Sequence, residues 1–128
     1  MKYSPKLLVV EDDVQSRTLF ENILASDGYL VTAVSSAVQA LTCAQDFLFE
    51  VIIADMSLPD RDGAELIRDL AIWSPYSKVL AISGHMNDPM RKLALEAGAT
   101  AALPKPMKPG ELRKAVYRLL DPTCSWMG

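Results

Sequence analysis

Val51-Ile52-Ile53-Ala54-Asp55 sets four apolar residues in a row directly against a carboxylate. A short run that does not alternate with polar residues suits a strand covered on both faces, as in a parallel sheet. Leu7-Leu8-Val9-Val10, followed by Glu11-Asp12-Asp13, repeats the arrangement near the start of the chain. Tyr29-Leu30-Val31, Val79-Leu80-Ala81-Ile82 and Ala101-Ala102-Leu103 complete a set of short apolar runs. The segments between them have helical spacing. Leu19, Phe20, Ile23 and Leu24 form one stripe, closed by Asp27-Gly28 as a stop signal. Ser36 with Gln39 reads as a capping box opening a helix through Ala40, Leu41, Ala44 and Phe47. Leu66, Ile67 and Leu70 mark a third helix. Asp88-Pro89 reads as an N-cap and first-turn proline before Leu93, Ala94 and Ala97, with Gly98 beyond; Pro109 opens a last helix with Leu112, Val116, Leu119 and Leu120 on one face. Strict alternation of strand and helix predicts an α/β domain, an open parallel sheet with helices on both faces.

The composition agrees with one domain. The chain has 128 residues, 50% hydrophobic and 23% charged, enough apolar material for a core and too much for bulk disorder. A net charge of -3 makes it a poor general binder of nucleic acid, which needs a basic face. Cys43 and Cys124 are too few for a disulfide framework or a zinc cage. Cys43 reads as a small core residue and Cys124 as an exposed tail thiol. Trp73, Tyr76 and Trp126 read as packing or tail aromatics, and the methionines are too scattered to form a groove. The opening residues carry neither a signal peptide nor a membrane span, so a cytoplasmic protein is expected. Residues 1–121 are read as the domain and 122–128 as a C-terminal tail.

Ligands of such sheets bind at the carboxyl ends of the strands. The polar residues that follow the strands are Glu11-Asp12-Asp13, Asp55, Ser83 and Lys105. Each alone has a plain explanation. Acids complement a helix N-terminus, Ser83-Gly84 is ordinary turn chemistry, and Lys105 between Pro104 and Pro106 could be a solvated loop lysine. Asp55 directly after Val-Ile-Ile-Ala costs desolvation unless something compensates it. Together they fall on one edge of the sheet. Carboxylates so placed raise one another's pKa, and a hard divalent ion with oxygen ligands relieves the repulsion. Mg2+, which keeps waters and leaves room for a phosphate oxygen, is the natural choice.

These residues stand in fragments that resemble the receiver domain of response regulators, the phosphoacceptor half of two-component signalling and phosphorelays. The fragments are Leu8-Val9-Val10-Glu11-Asp12, Asp55-Met-Ser-Leu-Pro59-Asp-Arg-Asp-Gly63, Ser83-Gly84, Gly98-Ala99 and Lys105-Pro106, and the resemblance runs from Lys6 to Leu120. It implies a flavodoxin-like, doubly wound three-layer sandwich with a five-stranded parallel sheet of order 2-1-3-4-5, bringing Glu11, Asp12 and Asp55 together. It also implies that Asp55 takes a phosphoryl group from a phosphohistidine on a sensor histidine kinase or histidine phosphotransfer domain. Glu11, Asp12, Asp55 and the backbone carbonyl of Ser57 would hold Mg2+. Lys105 would pair with the phosphoryl oxygens, and the Ser83 hydroxyl would donate to the bound group. Pro59 and Gly63 would shape the loop after Asp55, glycine by permitting backbone angles that other residues avoid. Asp13 is better read as a helix-start residue than as a ligand.

One position departs from the family pattern. Three residues before the motif lysine the family usually has Tyr or Phe, and here stands Ala102, with no rotamer to switch. Movement of the Ser83–Asp88 loop is therefore expected to carry any signal. His85 stands where the family can tune access of water to the phosphoryl, or is simply an exposed loop histidine.

Other chemistries fit less well. A haloacid-dehalogenase-type phosphatase needs a second Asp two residues after its nucleophile, where this chain has Ser57. A flavodoxin-type cofactor binder needs a hydroxyl- and glycine-rich loop after the first strand, where three acids would repel an anion. The alternative that Ala102 favours is a degenerate receiver serving as a phosphorylation-independent interaction module. The expectation is a phosphoacceptor rather than an enzyme, with self-catalysed phosphotransfer and autodephosphorylation. It would be a monomer or a weak phosphorylation-dependent dimer, bind neither nucleic acid nor membrane directly, and select its partner through Val14–Leu24 and the loop after Lys105.

Overall fold

The computed structural model describes residues 3–121. Strands and helices alternate as β1 (Lys6–Val10), α1 (Val14–Ser26), β2 (Leu30–Val34), α2 (Ala37–Asp46), β3 (Val51–Asp55), α3 (Gly63–Trp73), β4 (Lys78–Ser83), α4 (Asp88–Ala97), β5 (Ala101–Pro104) and α5 (Pro109–Leu120). The five strands form one parallel sheet of order β2-β1-β3-β4-β5. This is the flavodoxin-like, doubly wound three-layer arrangement.

Alternate residues of each strand feed two cores. Leu8, Val10, Ile52 and Ala54 pack with α2, α3 and α4 on one face. Leu7, Val9, Val51 and Ile53 pack with α1 and α5 on the other. All five residues of β3 are buried, and each fully buried Ile or Leu contributes about 1.5–3 kcal/mol. The edge strand β2 differs: Leu30 is exposed and Val31 to Val34 are not fully covered, because no neighbour lies on that side.

Several local expectations change. The N-cap of α4 is Asn87, whose Oδ1 accepts from Met90 N at 2.9 Å, and Asp88 is the first helical residue. At α2, Ser36 Oγ accepts from Gln39 N, but the Gln39 side chain bonds to Ser35 rather than closing a box on Ser36. Asp60, on the loop after β3, caps this helix instead by accepting from Ala37 N (3.1 Å) and Val38 N (3.2 Å). Leu19, Phe47 and Leu93 point outward, and Trp73 and Tyr76 are exposed rather than packed. Cys43 is partly buried against the α2 side of the core; Cys124 and Trp126 lie outside the described residues.

Gly63 is needed for a different reason from the expected one. The glycines with positive φ are Gly28 and Gly98. Gly63, buried at the start of α3, lies where a Cβ would stand 2.6 Å from the Met56 carbonyl oxygen and 2.7 Å from Met56 Cα. Close backbone approach, not an unusual dihedral, excludes a side chain there.

Gly63→Ala is expected to cost about 2–3 kcal/mol in urea unfolding, because backbone must move to admit the methyl group. Asp60→Ala is expected to lower stability by about 1 kcal/mol through loss of the α2 cap. Its pH dependence has a defined sign. The Ala37 and Val38 amide bonds hold the Asp60 carboxyl below its ordinary value of 3.8. Its stabilisation is therefore complete above that value and lost as pH falls through the lowered one. Thermal melts of parent and Asp60→Ala should differ steadily above about pH 4 and converge below it.

Candidate functional site

Parallel register builds the site. Val10 pairs with Ala54 on the adjacent strand, so the next residues, Glu11 and Asp55, lie side by side at that end of the sheet. Asp55 pairs with Ile82, which places Ser83 one step further along β4. The Lys105 amide donates to the Ser83 carbonyl at 2.9 Å, carrying the pairing of β4 and β5 just past the strand end. One edge thus collects Glu11, Asp55, Ser83 and Lys105. Among the described residues the buried polar side chains are Glu11, Asp55, Ser74 and Ser83, and three of these four belong to this cluster.

Lys105 holds the buried acids together. Its Nζ lies 2.6 Å from Glu11 Oε1 and 2.8 Å from Asp55 Oδ2. The second Asp55 oxygen, Oδ1, accepts from Ser57 N at 2.8 Å, and Glu11 Oε2 accepts from Asp13 N at 3.2 Å. Burial pushes the Glu11 carboxyl up to about 7, against the opposing pull of Lys105, and the nearby Asp55 raises it further. The bonds to Asp55 and Glu11 push Lys105 above its ordinary value despite partial burial. Mutual repulsion of carboxylates is thus a lesser cause of the Glu11 shift than desolvation.

Asp12 is exposed, yet one carboxylate oxygen from each of Glu11, Asp12 and Asp55 falls within 4.8 Å of the others. An all-oxygen set of this compactness suits a hard divalent cation such as Mg2+. Asp13 is the N-cap of α1, its Oδ2 accepting from Ser16 N at 2.8 Å, which agrees with its reading as a helix-start residue.

Ser83 Oγ is buried and accepts from His85 N at 3.1 Å, an arrangement that leaves the hydroxyl proton available to an acceptor. The His85 side chain is exposed, as is Pro59. Ala102 is fully buried, and its carbonyl accepts from the Arg91 guanidinium of α4. Ser16, Leu19 and Phe20 of α1 line one side of a groove whose other side is Gly84, Lys105, Pro106 and Met107. The two segments expected to select a partner therefore face each other beside Lys105.

Three participants escaped the sequence reading. Asp60 ties the loop after Asp55 to α2 across more than twenty residues, and Arg91 reaches Ala102 across eleven. The Arg17 side chain donates to the carbonyls of Glu11 and Asp12. The signal available for Arg17 was its sign: a cation in the first turns of a helix opposes the dipole.

The family model for the response regulator receiver domain matches residues 7–117, and the chain belongs to this family. It is the receiver domain of two-component signalling. Protein PetR of Rhodobacter capsulatus is 35% identical over 116 residues, covering 91% of this chain and 48% of that protein. A CheY-like receiver domain protein from Methanospirillum hungatei has a TM-score of 0.89 at 28% identity, over 93% of this chain and 95% of its own. The receiver domain of the sensor histidine kinase PA1611 of Pseudomonas aeruginosa, solved with magnesium in its active-site cleft, has a TM-score of 0.82 at 29% identity, over 92% and 98%. The chain spans between 26% and 51% of the length of the curated relatives it matches. Among the described residues no helix is long and apolar enough to cross a membrane.

Lys105→Met is expected to lower stability by about 1–3 kcal/mol in urea with a chelator present, because two buried carboxylates lose their shared cation. A loss below about 0.5 kcal/mol would mean that water solvates those carboxylates in its place.

Proposed function

We propose that Asp55 accepts a phosphoryl group from a phosphohistidine on a sensor histidine kinase or histidine phosphotransfer domain. The observation that carries this reading is the convergence of Glu11, Asp12 and Asp55 around one point, with Lys105 bridging the two buried acids. An Asp55 oxygen forms the new O–P bond while the N–P bond of the donor breaks, the electron pair staying with the imidazole nitrogen. Glu11, Asp12, Asp55 and the Ser57 carbonyl would hold Mg2+, which when bound neutralises charge on the equatorial phosphoryl oxygens.

The chain's own groups supply the rest. Lys105 already lies 2.8 Å from Asp55 Oδ2, so a small shift of its flexible stem brings the ammonium onto a phosphoryl oxygen. The Ser83 hydroxyl, with its oxygen engaged by the His85 amide, donates its proton to the same group. Gly63 and Pro59 fix the loop that frames the phosphoryl, and exposed His85 stands where it can tune attack by water. The donor protein would dock along the groove between α1 and the Lys105–Met107 loop, presenting its histidine to Asp55. Transfer and later hydrolysis are catalysed within the pocket, without the chain being a turnover enzyme. The setting we assign is cytoplasmic, with residues 1–121 as the receiver unit and 122–128 as its tail.

Readout differs from an aromatic switch because Ala102 has no rotamer to change. Movement of the Ser83–Asp88 loop, drawn by Ser83 toward the phosphoryl group, is the proposed signal. A specific observation also favours a second reading, the phosphorylation-independent interaction module: Ala102 is buried and its carbonyl is held by Arg91.

Incubation with Mg2+ and a small-molecule phosphoryl donor should add one phosphoryl group by intact-mass spectrometry. Asp55→Asn or chelation of Mg2+ should abolish the gain; no gain in the parent would favour the interaction module. With beryllofluoride as a phosphoryl mimic, amide shifts in the Ser83–Asp88 loop should exceed those caused by Mg2+ alone. Equal shifts would overturn the proposed readout.

A further inference from the structure

Arg17 closes the first turn of α1, which begins at Val14 after the Asp13 cap, and there the helix dipole favours acids and opposes cations. A residue placed against a local preference invites a search for what it gains elsewhere. Its side chain folds back over the helix start, and Nη1 donates to the carbonyl of Glu11 at 3.0 Å and to that of Asp12 at 3.3 Å. Two successive carbonyls thus meet at one nitrogen.

That meeting is foreign to a strand. In extended backbone, successive side chains point to opposite faces, and parallel pairing turns successive carbonyls to opposite neighbours. Strand β1 ends at Val10, and the backbone bends at Asp12 and Asp13. The bend has a consequence for chemistry. Had β1 continued, the two carboxylates would stand on opposite faces of the sheet, whereas their oxygens lie within 4.8 Å of each other and of Asp55.

We propose that Arg17 is a positioning residue for the divalent ion, its guanidinium clasping the Glu11 and Asp12 carbonyls so that both carboxylates face one coordination point. The inference rests on the metal assignment made above. Arg17 also places a positive charge near an acidic pocket, which by Coulomb's law alone weakens cation binding. Arg17 is partly exposed, so that repulsion is screened, while its bonds to the carbonyls are charge-assisted and geometrically specific. Geometry therefore outweighs charge.

The two effects separate by ion. Mg2+ demands near-octahedral ligands at short distance, whereas Ca2+ of the same charge tolerates loose geometry. Calorimetric titration of the full chain with Mg2+ alone and Ca2+ alone, for the parent, Arg17→Ala and Arg17→Lys, tests the proposal. The expected result is at least fivefold weaker Mg2+ binding by Arg17→Ala, with Ca2+ binding changed less than twofold. Arg17→Lys, which keeps the charge but not the planar fork, should fall between parent and alanine for Mg2+. Melting temperatures with a chelator present report folding separately, and if Arg17→Ala does not fold, Arg17→Lys decides by the same Mg2+ to Ca2+ ratio. Unchanged or tighter Mg2+ binding by the variants, or an equal change for both ions, overturns the proposal. Absence of Mg2+ binding in the parent, matched by Asp12→Asn, overturns the metal assignment itself and this inference with it.

Discussion

The contact of one ammonium with two buried carboxylates governs much of this molecule. Lys105 Nζ reaches Glu11 and Asp55 at 2.6 and 2.8 Å, at the end of a strand layer whose other buried side chains, Ser83 apart, are apolar. Glu11 and Asp55 are buried and have little access to water, so each carboxylate needs a cation or an amide to compensate it. Glu11 and Asp55 have both: Lys105 on one oxygen, and the amides of Asp13 and Ser57 on the other. The loops after β1, β3 and β5 are thereby drawn to one point, and the groove between α1 and the Lys105 loop follows from that.

The same contact keeps the edge chemically poised. Burial outweighs Lys105 at Glu11 and leaves its carboxyl near 7, far above an ordinary glutamate. A pocket built for stability alone would hold apolar side chains here, since a buried ion pair seldom matches them. The surrounding backbone is correspondingly braced. Gly63 lets α3 start against Met56, Asp60 fastens the β3–α3 loop to α2, and Arg17 holds the two peptide groups that follow β1. Each brace acts on a loop that would otherwise be free to relax away from the charge cluster.

Ala102 shows how a departure within a family is accommodated. Its methyl group fills its place in the α4-side core, and Arg91 crosses from α4 to its carbonyl. Ala102 pairs with Ala81, two residues before Ser83, so the α4 contact lies close in register to the hydroxyl at the site. Ala102 offers no ring to swing, so the readout proposed above links the site to α4 through backbone and the Ser83–Asp88 loop.

The unbroken apolar runs and the helical stripes made the order of elements legible, because strands with two covered faces have no polar positions to spare. Glu11, Asp12, Asp55, Ser83 and Lys105 were legible as a group because each ends a strand or follows one within two residues, and strand ends of a parallel sheet share one edge. Solvent exposure of Leu19, Phe47, Trp73 and Tyr76 was not, since a stripe shows periodicity but not how much of it a neighbour covers. Nor was the reason for Gly63, which lies in Met56, seven residues away. The sequence by itself determined the alternation of strands and helices and which charged residues meet at the sheet edge, through hydrophobic pattern and chain order. Only the tertiary structure decided that Lys105 bridges two buried acids, that Asp60 caps a helix not its own, and that Arg17 and Arg91 hold distant carbonyls. Long side chains choose partners by proximity in space, and proximity across many residues arises only once the sheet has closed its register.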